Sequence, residues 1–533
     1  MRAHGWIVGA MVWSAAASAA MWPPASGRAF CGFYVSSGSG ELLNNATQVA
    51  LMRNGLRTVL TMQNAYQGPP QDFAMVVPVP VVLQQENVRT LPHDVFRHLE
   101  ELTAPRLVEY WEQDPCAPDV PTPDMVQMAP PTTATAEPSG GGGADLGVRI
   151  EAQFVVGEYQ IVILSASQST GLETWLRQNR YNIPQGAAAY LAPYVREQSK
   201  FFVARVDIQR VQRDPNGRAR LSPLRFHYDA DAFRLPVRLG LLNAPEKQDL
   251  IVYVLHPQNR FEVANYPNVF IPTNLEVANA ARERFPAFYA ALFDATMRAA
   301  GGRAVVTEYS WQTSGCDPCP TPPLEPAELT TLGLDALGPG SEQFQYGMNV
   351  TRLHTRYDRE TLTEDLVFRE AAPIVGGREH VVNQQTGALE EGARREEGGA
   401  NNFQARYAIR HRWQGAVSCN SPRRGVWGGP PGGGAPPQPQ PARDLANAPR
   451  GSVSLGDVLL TPVPGIQTST DVQHGAAGSI TSPELMAAGR GPRGCNCSVA
   501  GAGQSLALGL GALATTGLVA AGCWRVVRRR RRR

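Results

Sequence analysis

The chain has 533 residues, 43% of them hydrophobic and 18% charged, which is more than enough for a large apolar core. The formal net charge of +2 hides an uneven distribution, because residues 1–29 hold two arginines, 525–533 hold seven, and neither segment has an acid. The rest of the chain therefore carries about −7, which disfavours a nucleic-acid partner.

The first 29 residues have the order of a secretory signal peptide. A positive charge at Arg2 precedes a mostly apolar run over 6–21, and small residues that suit signal cleavage follow. Cleavage after Ala19 and cleavage after Ala29 both fit, and we favour Ala29 because a strand-like pattern begins directly afterwards. The sequence therefore predicts export, with a buried N-terminal helix or an uncleaved anchor as the alternative.

Residues 30–420 alternate between strand and helix patterns, which predicts an α+β ectodomain of mostly antiparallel sheet with packed helices, in one or two subdomains. A hairpin with a type I′ turn is predicted across Asn54-Gly55, and a second hairpin across Gly157-Glu158. The longest helix is predicted over 275–300, where Asn274 would be its N-cap and Pro286 would kink or split it. Further strands are predicted at 73–82, 201–208, 224–228, 250–255, 304–311 and 350–357, and shorter helices at 93–102, 170–180 and 327–332.

Two segments rich in proline and glycine interrupt this pattern. Residues 117–145 include a run of four glycines and are predicted to form a flexible insert within the ectodomain. Residues 421–450 form a second such stretch, and 451–493 have few aromatic residues and no dense apolar pattern. We therefore predict that 421–493 are a linker and stalk that hold the folded part away from a membrane.

The C-terminal segment, 494–533, combines a cysteine pair, an apolar span and an arginine cluster. Cys495 and Cys497 precede an uncharged stretch whose most apolar part, 506–524, would be about 28 Å long as a helix. That length predicts one C-terminal transmembrane helix, and the arginines of 525–533 would keep its end on the cytoplasmic side.

This order resembles the MYXO-CTERM type of C-terminal sorting signal found in myxobacterial surface proteins. The resemblance implies recognition by a membrane-embedded sorting protease and cleavage near Cys495 and Cys497. The protein would then be anchored in the inner membrane before processing and displayed at the cell surface or outer envelope afterwards. A plain single-pass anchor is the alternative.

Five cysteines outside this segment are disulfide candidates, and two disulfides with one leftover thiol are expected after export. We predict that the pair Cys316/Cys319 involves Cys419, and that Cys31 bonds Cys116. The Cys-x-x-Cys spacing also suits a redox-active dithiol, but the prolines that follow it favour extended chain over the helix that such motifs use. No second Cys-x-x-Cys, His-Glu-x-x-His motif or phosphate-binding glycine loop is present, so we predict neither a metal site nor a cofactor.

Glu308 is the strongest single candidate for a catalytic acid, although no catalytic set can be named around it. It lies in a predicted strand beside Tyr309 and Trp311, where loss of water would raise its pKa. A glycosidase needs a second carboxylate facing the first, and the pattern does not select one. The available carboxylates are Asp229, Asp231, Asp358 and Glu360.

Two predicted strands each carry a histidine between arginines: Arg352, His354 and Arg356 in one, and Arg410, His411 and Arg412 in the other. Such patches bind an acidic group or polysaccharide, or they form the polar face of a strand whose arginines pair with nearby carboxylates. We favour the second interpretation.

Several strings in the chain together resemble the bacterial family called domain of unknown function 2330, over roughly 30–420. They are FCGFYV (30–35), RTVLTMQN (57–64), DFAMVVPVPVV (72–82), LTAPRLVEYW (102–111), ANYPN (264–268), TEYSW (307–311), CDPCP (316–320), TRLHTRY (351–357) and IRHRW (409–413). The resemblance implies an exported or surface-anchored protein without an established activity, and it supplies no catalytic residues.

Two functions from different classes fit these patterns. We favour a non-catalytic surface protein whose ectodomain binds an envelope or extracellular partner, because no convergent acid, base and nucleophile can be named. The alternative is a secreted-type hydrolase of an extracellular polymer that uses Glu308, and a weaker third is thiol–disulfide exchange at Cys316 and Cys319. A second carboxylate beside Glu308 in a cleft would favour the hydrolase, whereas an ion pair with an arginine would disfavour it.

Overall fold

The structure is a computed structural model that describes residues 33–35, 46–63, 74–117, 147–181, 183–184, 186–213, 219–243, 247–379, 389–443, 445, 448–463 and 465–489. The predicted signal peptide, Cys31, nearly all of the 117–145 insert and the 494–533 segment with its 506–524 helix lie outside these residues. None of the helices in the described ranges is long and apolar enough to cross a membrane.

The strands in chain order are β1 (Phe33–Val35), β2 (Ala46–Asn54), β3 (Arg57–Gln63), β4 (Ala74–Val79), β5 (Val88–Thr90), β6 (Arg106–Glu112), β7 (Val148–Val156), β8 (Tyr159–Ala166), β9 (Lys200–Val206), β10 (Gln212–Arg213), β11 (Ala219–Arg220), β12 (Leu224–Asp229), β13 (Arg234–Leu235), β14 (Gln248–His256), β15 (Arg260–Val263), β16 (Asn268–Phe270), β17 (Leu275–Glu276), β18 (Val305–Gln312), β19 (Asn349–Tyr357), β20 (Leu366–Ala371), β21 (Ile374–Gly376), β22 (Arg394–Arg395), β23 (Asn402–Gln404), β24 (Arg406–His411), β25 (Trp427–Gly428) and β26 (Gln440–Pro441). The helices are α1 (Asp94–Thr103), α2 (Ser169–Gln178), α3 (Ala187–Arg196), α4 (Phe285–Ala299), α5 (Pro326–Leu332), α6 (Leu455–Val458), α7 (Ser469–Gln473) and α8 (Pro483–Ala487).

The strands form three main sheets, so the fold is α+β with sheet predominating. The first is antiparallel, in the order β1-β4-β9-β8-β7. The long sheet runs β22-β21-β23-β18-β19-β14-β2-β3-β12-β5, with β16 beside β18, and the third runs β17-β24-β6-β25, with β26 also on β6. Parallel pairs such as β14 with β2 and β24 with β6 make the last two sheets mixed rather than antiparallel.

The apolar core follows these sheets, and all described residues belong to one compact unit. The largest cluster includes Val77 and Phe202 of the first sheet and Val49 and Val252 of the long sheet. A second cluster packs α4 against β24 through Phe288 and Tyr407. A third lies beneath α1 and α5.

Both predicted hairpins are present, β2 with β3 and β7 with β8. The turn type of the first differs from the prediction. Asn54 pairs with Arg57, so the two loop residues are Gly55 and Leu56, and only Gly55 has a positive φ, of 56°. A type I′ turn needs positive φ at both positions, whereas a glycine in the first loop position is typical of type II′.

The predicted helix over 275–300 is shorter than expected. Residues 275–276 form β17 beside β24, a 3-10 helix covers 279–284, and α4 begins at Phe285. Pro286 therefore lies in the first turn of α4, where its missing N–H leaves no hydrogen bond unmade, rather than at a kink. Asn274 is not a cap, because its side chain accepts a hydrogen bond from Arg406.

The predicted linker and stalk, 421–493, are not extended away from the fold where the structure describes them. β25 and β26 pair with β6, and 448–489 pack on the cluster around α4. The side chains of that segment that belong to this cluster are Val453, Leu455, Val458, Leu459, Val463, Ile466, Val472, Leu485 and Ala488. The apolar residues are sparse, and Leu460 and Met486 are exposed, but most of the larger ones pack on α4 or its neighbours, and this burial holds the segment in place.

Candidate functional site

Glu308 lies at an irregularity between β18 and β19. Val306 and Thr307 pair with His354 and Leu353, and the register then shifts so that Tyr309 pairs with Arg352. A β-bulge of this kind changes the direction of a side chain relative to the regular pleat. The bulge places Glu308 where side chains of β19 and α4 meet.

The Glu308 carboxylate is fully buried, and both of its oxygens have partners. Oε1 accepts hydrogen bonds from the Tyr289 hydroxyl at 2.5 Å and from His354 Nδ1 at 2.7 Å. Oε2 accepts from Arg352 Nε at 2.7 Å. Burial alone would raise the pKa of Glu308, but the charges of His354 and Arg352 outweigh it and lower the pKa to about 2.

His354 extends the network to a second buried carboxylate. Its Nε2 lies 3.1 Å from Asp249 Oδ1, and the ring of Phe293 stacks on it at 3.9 Å between centroids. Since both ring nitrogens face carboxylates, the charged imidazolium satisfies both contacts. Burial opposes that charge, but Glu308 and Asp249 outweigh it and raise the pKa of His354.

The network continues through Arg450 to the wall of a cleft. Arg450 donates to Asp249 Oδ1 at 2.9 Å and to Asp294 Oδ1 at 2.5 Å. The cleft encloses about 460 Å³ between α4, where Asp294 and Arg298 line it, and the segment 451–456. Alternating charges therefore run from Arg352 in the core to Asp294 at the cleft. We call this set, together with Tyr289, the buried ionic network; its charged members are Arg352, Glu308, His354, Asp249, Arg450 and Asp294.

This arrangement of Glu308 is better suited to stabilising the fold than to acid catalysis. A general acid near neutral pH needs a raised pKa, whereas that of Glu308 is lowered. The sequence candidates for a facing carboxylate lie elsewhere: Asp229 pairs with Arg57 and Asp358 with Lys247, and Asp231 and Glu360 are exposed. Over the described ranges no three His, Cys, Asp or Glu side chains are grouped so that they could hold a metal ion.

Sequence reasoning found Glu308, Arg352 and His354 but did not connect them. It missed Asp249 and Tyr289. A signal for Asp249 existed, because it is the one charged residue within β14 and is followed by a run of apolar side chains. A lone acid at the start of such a strand needs a cationic partner when it is buried.

The Cys316-x-x-Cys319 motif is a disulfide in the structure, and the second disulfide joins Cys116 to Cys419. The predicted pairings of Cys419 with the 316/319 pair and of Cys31 with Cys116 are therefore wrong, because parallel pairing of β6 with β24 brings together the segments that follow these strands and carry Cys116 and Cys419. The 316–319 loop is held from inside, where Arg106 donates to the Pro318 carbonyl at 2.8 Å. It does not begin a helix, unlike the redox motif considered above.

The second patch, around His411, lies at the far end of β24 and extends into an exposed loop. His411 stacks on Trp111 with 4.5 Å between centroids, and the guanidinium groups of Arg410 and Arg412 lie 4.6 and 5.0 Å from the Trp427 ring centre. Nearby carboxylates contact these side chains, as predicted for a polar strand face: Glu109 lies 3.1 Å from His411 and Glu276 3.5 Å from Arg412.

Comparison with known families assigns the chain. The sequence model of the family described as "Uncharacterized protein conserved in bacteria (DUF2330)" matches residues 24–369. The chain belongs to this family. No curated protein and no solved structure matches the chain. The DUF2330 match covers Asp249, Tyr289, Glu308, Arg352 and His354 of the buried ionic network.

Other parts of the fold lie beyond the DUF2330 match. Arg450, the 448–489 segment that carries it, and the patch around His411 all follow residue 369. The His411 patch therefore belongs to a part of this chain that the family match does not cover.

Proposed function

We propose that this protein is exported and displayed at the cell surface, where its ectodomain binds an envelope or extracellular component without catalysing a reaction. The observation that carries the non-catalytic part is the Glu308 carboxylate, which is fully buried and ion-paired to Arg352. Its lowered pKa, and the hydrogen bonds that already occupy both of its oxygens, speak against the alternative, a hydrolase of extracellular polymer.

Export is supported by the disulfides. Cys116 and Cys419 are 303 residues apart in sequence, and Cys316 and Cys319 form a second bond. Disulfides of this kind persist in exported proteins and are rare in the reducing cytoplasm. Together with the signal-peptide pattern of 1–29, they favour folding outside the cytoplasm.

Surface display rests on the C-terminal pattern, which lies outside the described residues. We infer that a membrane-embedded sorting protease recognises 494–533 as a MYXO-CTERM-type signal, with Cys495 and Cys497 at the cleavage region. The apolar span 506–524 would hold the precursor in the inner membrane, and the arginines of 525–533 would stop its translocation.

Sorting is tested in the native host by tracking the arginine-rich tail, 525–533, separately from the ectodomain. Tags on the ectodomain and after residue 533 should separate, with the ectodomain accessible to a membrane-impermeant label and the tail absent from surface material. Cys495→Ala should leave the full-length form in the inner membrane, whereas Cys523→Ala, within the apolar span, should be processed normally. Surface-exposed protein that still carries its tail would refute sorting and leave a simple anchor.

Binding is tested on the same displayed protein. Crosslinking on intact cells, followed by recovery of the ectodomain, should retain an envelope or extracellular component that is absent when the ectodomain is unfolded by reduction. Glu308→Gln distinguishes the hydrolase alternative. If purified protein degrades an extracellular polymer, and a folded Glu308→Gln variant does not, the non-catalytic proposal is wrong.

A further inference from the structure

We call residues 412–427 the tryptophan–arginine loop; they comprise the connection from β24 to β25 and Trp427, the first residue of β25. From 398 to 443 the chain has six arginines and no Asp or Glu. Three of these arginines, Arg412, Arg423 and Arg424, lie in the loop and are exposed. This positive surface contrasts with the rest of the processed chain, whose net charge is negative.

The loop is held firmly although most of its side chains are in solvent. Glu112, which is 4% exposed, accepts hydrogen bonds from the backbone N–H of Trp413 and of Gly425, both at 3.0 Å, and so joins the two ends of the loop. The disulfide between Cys116 and Cys419 joins its middle to the segment that follows β6. A loop fixed at three points loses little conformational entropy when it binds a ligand.

The fixed loop brings aromatic rings next to its cations. Glu112 Oε2 accepts hydrogen bonds from Arg424 Nη1 at 3.3 Å and from the Trp413 backbone N–H at 3.0 Å. The Arg424 guanidinium therefore lies beside the Trp413 backbone. The half-exposed Trp413 ring folds back over Gly415, where an added Cβ would lie 2.5 Å from the ring. Trp427 lies under the guanidinium groups of Arg410 and Arg412.

The carboxylates near the loop are mostly covered, whereas its cations are exposed. The side chains of Glu109 and Glu276 are 13% and 17% exposed, against 57% for Arg412 and 53% for Arg424. Asp114 is an exposed acid nearby, and its Oδ1 accepts a hydrogen bond from the Cys116 N–H. A ligand approaching from solvent therefore meets guanidinium groups first.

We propose that the tryptophan–arginine loop binds an acidic polysaccharide, through guanidinium contacts to its carboxylate or sulfate groups and sugar packing on Trp413. Guanidinium groups bind such anions in a two-point geometry, and indole faces offer a broad apolar surface to the faces of sugar rings. The inference rests on the proposed function, since it names the class of extracellular partner that the displayed ectodomain takes.

The experiment uses the full chain in detergent and two matched probes, polygalacturonate and the same polymer with its carboxyl groups methyl-esterified. Calorimetry should detect binding of the charged polymer only, and that binding should weaken as salt is added, because exposed ion pairs are screened. Equal affinity for the ester, or no binding of polygalacturonate at low salt, would overturn the proposal.

Variants locate the site. Arg412→Gln with Arg423→Gln should weaken polygalacturonate binding about tenfold, as expected for the loss of two exposed ion contacts. Arg97→Gln with Arg149→Gln is the matched control, because these arginines are also exposed but lie on α1 and β7. An equal effect of the two double variants, or tighter binding of duplex DNA than of polygalacturonate, would show a general polyanion effect and refute the site.

The aromatic contribution has its own variant. Gly415→Ala removes no charge and needs no unusual backbone angle, but its Cβ would displace the Trp413 ring. We expect weaker binding with an unchanged unfolding midpoint, and unchanged binding would refute the packing role of Trp413.

Failure of this inference and failure of the proposed function give different results. If the displayed ectodomain retains native material that polygalacturonate does not release, the ligand class is wrong and the proposed function stands. If the protein never reaches the surface, the proposed function fails whatever its affinity for polygalacturonate.

Discussion

Replacing Glu308 by Gln tests how much the buried ionic network stabilises the fold. The substitution keeps the side-chain volume, so no cavity forms, but it removes the negative charge between Arg352 and His354. Arg352 is fully buried; its remaining hydrogen bonds go to the hydroxyls of Tyr253 at 3.2 Å and Thr103 at 3.4 Å, and Glu100 is the other carboxylate whose charge acts on it. The amide would also point an N–H at one of the groups that now donate to the carboxylate.

Breaking a buried pair by removing one partner costs about 3–5 kcal/mol, because the other charge is left uncompensated. We expect Glu308→Gln to lower the free energy of unfolding by that amount, measured from the midpoint and slope of urea denaturation followed by tryptophan fluorescence. The matched control is Glu484→Gln. Glu484 pairs with Arg298 at 2.8 Å, but these side chains are 49% and 59% exposed, and such a pair contributes less than about 1 kcal/mol.

A double variant separates the lost charge from general damage. Removing Arg352 as well, as Glu308→Gln with Arg352→Met, leaves no unpaired guanidinium in the core. It should therefore be less destabilised than the sum of the two single variants. If Glu308→Gln is no more destabilising than the Glu484 control, or if the double variant is simply additive, the reasoning about this network is wrong.

Three further predictions concern pH, the long-range disulfide and the segment 448–489. The pKa of Glu308 is lowered from 4.5 to about 2, so the stabilisation by its carboxylate should be present above pH 4.5 and be lost as the pH falls towards 2. The pKa of His354 is raised from 6.5, so the stabilisation by its imidazolium should be present below pH 6.5 and be lost as the pH rises through the raised value. Urea denaturation midpoints measured as a function of pH test both predictions. In Glu308→Gln the midpoint should fall less steeply as the pH is lowered below 4.5. Cys116→Ser should cost about 2–5 kcal/mol in the same assay and make the tryptophan–arginine loop cleavable by trypsin, whereas an uncleaved loop would show that the disulfide does not hold it. Arg450→Met should make 448–489 the first segment cut in limited proteolysis, and unchanged cleavage would show that apolar burial alone holds it.

Local features were predictable because their causes lie within a few residues. The hairpin at 46–63 follows from strand-forming residues on both sides of Gly55, and the hairpin at 148–166 from the same pattern around Gly157. The exact turn was not predictable, because one residue of register decides which two residues form the loop. The start of α4 was misplaced for a similar reason, since pairing with β24 extends 275–276 as a strand.

Contacts between distant residues were not predictable. Nothing local in the sequence places Asp249, Glu308 and His354 together, because their proximity depends on the order β14-β19-β18 and on the bulge at Glu308. The disulfide partner of Cys419 depends likewise on the pairing of β24 with β6. The stalk prediction failed because it averaged composition over 451–493, whereas packing depends on where Val453, Leu455 and similar side chains fall.

The buried ionic network and the tryptophan–arginine loop use charge in opposite ways. Every carboxylate of the network faces a cation at hydrogen-bond distance, so its charges are balanced inside the fold, and the lowered pKa of Glu308 and the raised pKa of His354 follow from that balance. In the loop, the buried Glu112 carboxylate accepts backbone hydrogen bonds, whereas the side chain of Arg412 is more than half exposed. Exposed charge on a rigid support is the property that binding requires, and the perturbed groups of the core lack it. For this reason we place the proposed binding function on the loop and not on Glu308.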